Sequence, residues 1–303
     1  MGRIMINLEE QWVLVVLDHD LASREISEFF KRVWSEPVIT LKLEEAWMDK
    51  KGFIAEEFES TIKRIKDPKR SVSKNKILTL YGDGTYHHYT YGLCYAIAKK
   101  KSKDYLYAQI DHHTDARYNE NGVITCGSFV ENIMEEPGAK DIVMIGTVDG
   151  VNHMMRTHVP EKSLMRHNVR TNLANILRAK PQKDVYASLD LDILDQNEIL
   201  TFYNQGSLTL EDLLSVIEVI KEEKNLISAD MLGYVPNDYN TLHPDPKSLL
   251  AYATLAANIT NKDYKEVKKL HKHFMKRTAR IMSPNDVPKI REEFENATSG
   301  LRI

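Results

Sequence analysis

The stretch DHHTD at residues 111–115 places two imidazoles and two carboxylates directly after an apolar run. Acids and imidazoles at the end of a buried strand are costly unless they are paired or bind a metal. In an extended segment alternate side chains share a face, so Asp111, His113 and Asp115 could point the same way. Carboxylates this close repel each other unless a cation or a proton lies between them. The stretch therefore predicts a metal site.

A second stretch, DLDILD at residues 190–195, offers Asp190 and Asp192 in the same alternating pattern. Mixed carboxylate and imidazole ligands suit manganese, zinc or iron better than magnesium or calcium. Because one ion rarely uses so many acids, we predict two metals that share carboxylates and hold a water between them. Each stretch alone has an ordinary explanation, since aspartate is common in caps and turns. Their occurrence after two separate predicted strands favours a site.

The elements that must position these residues alternate between strands and helices. Near-continuous apolar runs are typical of strands covered on both faces, as in parallel sheets, and six occur here, at residues 12–18, 77–82, 105–111, 142–146, 185–192 and 226–231. Helical patterns between them predict βαβ units. We predict one α/β domain over residues 1–303, with a helical C-terminal extension from about 245 to 303. In such sheets ligands bind outside the carboxyl ends of the strands, where both aspartate stretches fall.

Composition limits the other function classes. The formal net charge of -3 gives no general attraction for nucleic acid, so we interpret the basic stretch at 262–280 as a solvated helix face. The chain has no apolar run long enough to predict a membrane span. Two cysteines are too few for a disulfide framework, and the first residues do not resemble a secretory signal. We therefore expect a cytoplasmic location.

The two aspartate stretches resemble motifs of the ureohydrolase family, which includes arginases, agmatinases and formiminoglutamases. DHHTD is similar to the family's Asp-Ala-His-x-Asp, and SLDLDILDQ at 188–196 is similar to Ser-x-Asp-x-Asp-x-x-Asp-Pro. The resemblance implies a three-layer α/β/α arginase-like fold with a mostly parallel central sheet. It also implies two divalent ions, manganese by preference and zinc or iron as alternatives. Asp111 and Asp190 would bridge the ions, Asp115 would bind one, and His113 and Asp192 would bind the other.

The family's first motif, a Gly-Gly-Asp-His-Ser-like sequence, can be aligned here in two ways. A direct alignment of GDG at 82–84 puts Gly84 at the histidine position and loses a ligand. A short insertion aligns HHYTYG at 87–92 with an agmatinase-like His-Ser-Ile-Thr-Tyr-Pro. This second alignment, which we prefer, makes His87 the sixth ligand and leaves His88 as the alternative.

The resemblance also suggests residues for proton transfer and for the pocket rim. Asp115 would accept a proton from the water between the ions. For the catalytic acid the candidates are His87, His88 and His153, and we name His88. Asp149, in IGTVDG, resembles a family segment near the rim, although a turn at a strand end explains it equally well.

Several positions depart from the family pattern. Cys126 precedes Gly127 where the family has a His-Gly pair whose histidine is a proton shuttle, and a thiol does not replace imidazole simply near neutral pH. We interpret Cys126 as a packed small hydrophobic residue. Gly233 stands where the family has a glutamate that pairs with a guanidinium, which argues against arginine or agmatine as substrate. His112 replaces a small alanine and predicts a reshaped pocket, and Asp195 is expected to be structural.

These observations predict a binuclear metal-dependent hydrolase of a non-peptide C–N bond. A hydroxide bridging the two metals would attack the planar carbon of an amidine, guanidine or linear amide. Two alternatives stay open: a non-catalytic arginase-like protein that binds metal or a ligand, and a single-metal, deacetylase-like amidohydrolase. The expected partners are a small-molecule substrate and further copies of the chain in a homo-oligomer, as is usual in the family, with neither nucleic acid nor membrane.

Overall fold

The computed structural model describes residues 12–42, 76–101, 104–117, 124–135, 138–148, 157–164, 168–235, 245–279 and 286–303. Within these ranges eight strands form one sheet, in the order β2-β1-β3-β8-β7-β4-β5-β6. Every strand pair in it is parallel. The strands are β1 (Trp12–Asp18), β2 (Val38–Lys42), β3 (Lys76–Leu80), β4 (Tyr105–Ile110), β5 (Ala139–Gly146), β6 (His158–Pro160), β7 (Asp184–Asp190) and β8 (Asn225–Leu232).

The sheet is buried on both faces, which explains the unbroken apolar runs. In β1, Leu14 and Val16 belong to one hydrophobic core, whereas Val15 and Leu17 belong to a second core on the opposite face. Alternate side chains of a strand point to opposite faces. In a strand between two cores, every position therefore favours an apolar side chain. The six strands predicted from such runs are all present.

Helices cover both faces of the sheet. They are α1 (Leu21–Val33), α2 (Tyr89–Lys101), α3 (Phe129–Met134), α4 (Asn168–Ala179), α5 (Leu210–Glu223), α6 (Pro246–Ile259), α7 (Lys265–Thr278) and α8 (Asp286–Thr298). Residues of α2 and α3 line one core, and residues of α1 and α4 to α8 line the other. The predicted three-layer α/β/α fold with a mostly parallel sheet is therefore confirmed.

Local sequence signals explain where the helices begin. Thr209 and Asp212 cap each other's backbone N–H groups, so α5 begins at Leu210. The segment after residue 245 contains α6, α7 and α8, and α6 is buried along nearly its whole length. None of the helices that the structure describes is long and apolar enough to cross a membrane.

Candidate metal centre

The residues predicted to bind metal follow three strands in the middle of the sheet. β4 and β7 are neighbours, and β8 separates β7 from β3. Because these strands run parallel, their carboxyl ends open at the same edge of the sheet, which is where ligands bind in open α/β folds. Loops from distant parts of the chain therefore meet there.

His87 faces three carboxylates. The 3₁₀ turn Gly84–Tyr86 follows β3 and places His87 just before α2. Its Nδ1 lies 2.8 Å from Asp115 Oδ2, 3.3 Å from Asp111 Oδ2 and 3.5 Å from Asp190 Oδ2. The imidazole is 1% exposed, so all four groups meet away from bulk water.

A second group of ligand atoms lies on the other side of Asp111. His113 Nδ1 is 2.7 Å from Asp192 Oδ2 and 3.8 Å from Asp111 Oδ1. One ligand atom from each of His87, Asp111 and Asp115 fits within 4.8 Å, and the same holds for Asp111, His113 and Asp192. Since Asp111 belongs to both groups, two ions could share its carboxylate.

Neither aspartate stretch is extended, contrary to the sequence-based expectation. Asp111 Oδ1 accepts the backbone N–H of His113 at 2.6 Å, and Asp190 Oδ1 accepts that of Asp192 at 3.0 Å. Each stretch is a tight turn, because its first aspartate binds the backbone two residues further on. Asp115 has a φ of 48°, in the left-handed region. The side chains converge through these turns and not through the alternation of a strand.

The donor set fits a divalent cation. Nδ1 of His87 is buried and forms no hydrogen bond, although three carboxylate oxygens lie within 3.5 Å. The three oxygens therefore surround a nitrogen that has no hydrogen bond to any of them. Carboxylate and imidazole ligands together suit manganese, iron or zinc.

Without a cation, three of the four carboxylates in this cluster have raised pKa values. Burial and the charge of Asp111 raise the pKa of Asp115 to about 8 and that of Asp190 to about 7. Burial and the charge of Asp190 raise the pKa of Asp192 well above its usual range. Asp111 differs: burial acts to raise its pKa, but contacts with His87 and the hydrogen bonds from His113 and Gln109 together lower it. A bound cation would compete with these protons.

A buried carboxylate on β8 supports His87 from behind. Asp230 is fully buried and accepts hydrogen bonds from four hydroxyl groups, those of Tyr81, Thr90, Tyr186 and Ser188. Ser188 Oγ in turn lies 2.9 Å from Nε2 of His87. Such outer partners hold a ligating imidazole in one orientation. No role was predicted for this network, although Thr90 and Ser188 lie within stretches that align with family motifs.

Three other predicted residues lie outside both ligand groups. The ring of His88 packs edge-on against Tyr89, with 4.9 Å between centroids, and burial lowers the pKa of His88 to about 4. The Nδ1 atom of His112 lies 3.4 Å from Glu161 Oε2. Asp195 accepts the backbone N–H two residues further along at 2.8 Å, as a turn residue does. His88 thus belongs to neither group of ligand atoms, and His153 and Asp149 fall outside the described residues.

Gly233 and Cys126, two positions that depart from the family pattern, lie at the site. Gly233 has a φ of 105°, and a Cβ there would lie 2.6 Å from Asp190 Oδ1, so no side chain fits. Cys126 does not pack as a small core residue, and that interpretation is wrong. It is half-buried in the wall of a cavity, with its Sγ 3.7 Å from Tyr203 Oη. Burial raises the pKa of the Cys126 thiol.

A cavity of about 370 Å³ opens onto the cluster. Its wall consists of Gly84, His113, Asp115, Arg117, Cys126, Gly127, Asp190, Asp192, Phe202, Tyr203 and Asn204. Sequence reasoning missed Arg117 and the loop 202–204. Arg117 could have been noticed, because it follows Asp115 by two positions, whereas the aromatic loop belongs to no motif.

Comparisons with known proteins agree with this architecture. The family model for the arginase family matches residues 22–260. The chain is similar to an uncharacterized protein of Thermotoga maritima, with 31% identity over 156 residues, covering 52% of this chain and 57% of that protein. The chain therefore spans little more than half the length of this curated relative.

Several solved structures have the same fold. Agmatine ureohydrolase of Thermoplasma volcanium superposes with a TM-score of 0.62 at 15% identity, covering 86% of this chain and 92% of that one. Proclavaminate amidino hydrolase of Streptomyces clavuligerus gives 0.63 at 16% identity, with 88% and 92% covered. Formimidoylglutamase of Bacillus subtilis gives 0.60 at 16% identity, with 83% and 87% covered. At these identities the likeness extends to the fold alone.

Proposed function

Because this chain belongs to the arginase family, we propose that it is a two-metal hydrolase of a carbon–nitrogen bond in a small, non-peptide molecule. One observation carries the proposal: Asp111 belongs to two adjacent groups of ligand atoms. A shared carboxylate is the feature that separates a paired metal centre from two independent sites. Manganese is the expected ion, with zinc or iron as alternatives.

The geometry suggests how six side chains would divide between the ions. His87 and Asp115 lie together on one side of Asp111, and His113 and Asp192 lie together on the other. Asp190 would contact both ions, because its Oδ2 lies 3.5 Å from Nδ1 of His87 while its Oδ1 accepts the backbone N–H of Asp192.

Each side chain has a separate task in the reaction. Two divalent ions would supply a nucleophilic water at neutral pH by lowering its pKa. Asp115 lines the cavity beside the ligands, so its carboxylate is placed to accept a proton and pass it to the departing nitrogen. The Tyr203 hydroxyl and the Cys126 thiol form the wall where the family pattern has a shuttle histidine, and burial keeps the thiol protonated.

The pocket favours an amidine or a linear amide over a guanidine. A desolvated guanidinium needs a carboxylate partner. The position that would supply one is Gly233, whose close approach to Asp190 leaves no room for a side chain. Arginine and agmatine are therefore expected to be poor substrates.

The first test is the metal content per chain after purification without chelators, for wild type, Asp190→Ala and the matched control Asp195→Ala. About two ions per chain, lost in Asp190→Ala and kept in Asp195→Ala, would support the centre. A single ion would favour the deacetylase-like amidohydrolase. No uptake after incubation with manganese would contradict a hydrolase and leave a non-catalytic relative. Metal-loaded protein would then be assayed with amidines, linear amides and guanidines.

A further inference from the structure

We propose that Glu161 is a positioning residue for the second ion, the ion on the side of His113 and Asp192. The inference rests on the proposed function, because it assumes that the aspartates bind two divalent ions. Glu161 belongs to neither group of ligand atoms. It acts through His112 and Ser207, which hold Asp192 in place.

Glu161 is a buried acid that joins two separate segments of the chain. It begins the 3₁₀ turn that directly follows β6, and it is 7% exposed. Its Oε1 accepts hydrogen bonds from the backbone N–H and from the hydroxyl of Ser207. Its Oε2 lies 3.4 Å from Nδ1 of His112. Burial acts to raise the pKa of Glu161, but these contacts together lower it, so the side chain is a charged carboxylate that depends on its partners.

Both partners of Glu161 lead to the same metal ligand, Asp192. The backbone N–H of His112 donates to Oδ1 of Asp192 at 3.2 Å. Beside Ser207, the backbone N–H of Gly206 donates to the carbonyl of Asp192 at 2.7 Å. The contacts therefore form a closed ring, which consists of Asp192, His112, Glu161, Ser207 and Gly206. Since Glu161 joins the two halves of this ring, it constrains both the carboxylate and the backbone of Asp192.

The ring ends on a ligand of only one ion. Asp192 shares a ligand group with His113, with 2.7 Å between Oδ2 of Asp192 and Nδ1 of His113, and it is not part of the group that contains His87. His87 is supported instead by the separate network of Asp230. Outer partners change metal affinity by about tenfold to hundredfold, because they fix the orientation of a ligand. Loss of Glu161 should therefore weaken the second ion and spare the first.

The residue type at position 112 fits this role. His112 stands where the family pattern has a small alanine, and its side chain is 14% exposed. An alanine could not reach the carboxylate of Glu161. The ring therefore depends on a position at which this chain departs from the family pattern, so the support of the second ion is a property of this chain's own residues.

The test measures stepwise manganese binding by calorimetry and the electron paramagnetic resonance spectrum of the bound manganese, which separates a spin-coupled pair from isolated ions. The variants are Glu161→Ala, Glu161→Gln, His112→Ala and the double variant of Glu161→Ala with His112→Ala. Glu198→Ala is the matched control. Glu198 is another buried glutamate beside a histidine, with its Oε2 3.6 Å from Nε2 of His271 on α7, and it belongs to neither ligand group.

We expect Glu161→Ala to keep the first binding constant within about twofold and to weaken the second about tenfold. With about two equivalents of manganese its spectrum should show isolated ions, and excess manganese should restore the coupled pair. Glu161→Gln keeps an acceptor for Ser207, so it should weaken the second ion by a smaller factor. In the His112→Ala background, Glu161→Ala should cost less than in wild type, because the ring is already open. Glu198→Ala should bind both ions like wild type.

Three results would overturn the inference: an unchanged second constant in Glu161→Ala, equal weakening of both constants, or the same loss in Glu198→Ala. If Glu161→Ala does not fold, Glu161→Gln and His112→Ala carry the comparison, and both should weaken the second ion selectively. Unchanged constants in these two variants would overturn the inference equally. Failure of the proposed function would show separately, as a wild-type protein that binds fewer than two ions.

Discussion

Replacing Gly233 by alanine should destabilise the protein and weaken its metal binding together. Gly233 has a φ of 105°, a backbone conformation that residues with a Cβ rarely adopt. An alanine Cβ would lie 2.6 Å from Oδ1 of Asp190 and 2.9 Å from the backbone nitrogen of Leu191. The backbone nitrogen cannot move aside cheaply, whereas the side chain of Asp190 can rotate. We therefore expect the carboxylate of Asp190 to shift.

Two costs add up in the metal-free protein. Forcing a side chain into the left-handed region costs about 1–2 kcal/mol. Shifting Asp190 also breaks the hydrogen bond that its Oδ1 accepts from the Asp192 N–H at 3.0 Å, which contributes about 1 kcal/mol. We therefore expect the free energy of unfolding to fall by about 2–3 kcal/mol. A displaced Asp190 should also reduce manganese affinity by about tenfold to hundredfold.

Urea unfolding of the metal-free protein measures the first effect, and calorimetric titration with manganese measures the second. Gly300→Ala is the matched control, because a Cβ at Gly300 meets nothing within 4 Å. This variant should lose no stability, and a small gain is expected from the restricted unfolded chain. If Gly233→Ala unfolds at the same urea concentration as Gly300→Ala and binds manganese equally well, the argument from this close approach is wrong.

Two further predictions concern protons and the support of the metal ligands. Asp115 and Asp190 have raised pKa values of about 8 and about 7 in the folded protein. Below these values the folded protein therefore holds protons that the unfolded chain has already released. The stability that these groups contribute to the metal-free protein is present below the unfolded pKa and is lost as pH rises through 7 to 8. Urea unfolding near about pH 6 and about pH 8.5 tests this loss of stability. Manganese affinity should rise over the same interval, because binding releases protons from the carboxylates. Unchanged stability or unchanged affinity would contradict the prediction. Asp230→Asn should weaken manganese binding about tenfold to hundredfold, because it disturbs the orientation of His87. The control Asp195→Asn should leave manganese binding unchanged. Equal manganese affinities of the two variants would refute the role of Asp230 in supporting His87.

Strands in the centre of the sheet can be recognised from sequence because they face two cores. Val15 and Val16 point to opposite cores, and together with their neighbours they form an unbroken apolar run. The edge strands β2 and β6 lack this signal. β2 is half-buried over Val38–Thr40, and β6 has three residues. Neither therefore has a hydrophobic pattern that distinguishes a strand from a loop.

The types of residue that gather at the metal centre follow from sequence, but their arrangement does not. Asp111 and Asp190 close turns with their own side chains, and a rule that assumes an extended chain cannot anticipate this. The choice between His87 and His88 depends on where the preceding 3₁₀ turn ends, a matter of one residue. The place of Arg117 in the cavity wall depends on its contact with Gly127, which no sequence pattern indicates.

The short strand β6 also affects how copies of the protein can meet. Among the residues that the structure describes, it forms one edge of the sheet and spans His158–Pro160. An open edge presents N–H and C=O groups to which a strand from another molecule can add, a common route to aggregation. Pro160 has no N–H to offer, and the chain enters the turn Glu161–Ser163 directly afterwards. Within the described residues this edge is therefore short and poor in donors, and we expect an assembly on the β6 side to use side-chain surfaces instead of a continued sheet.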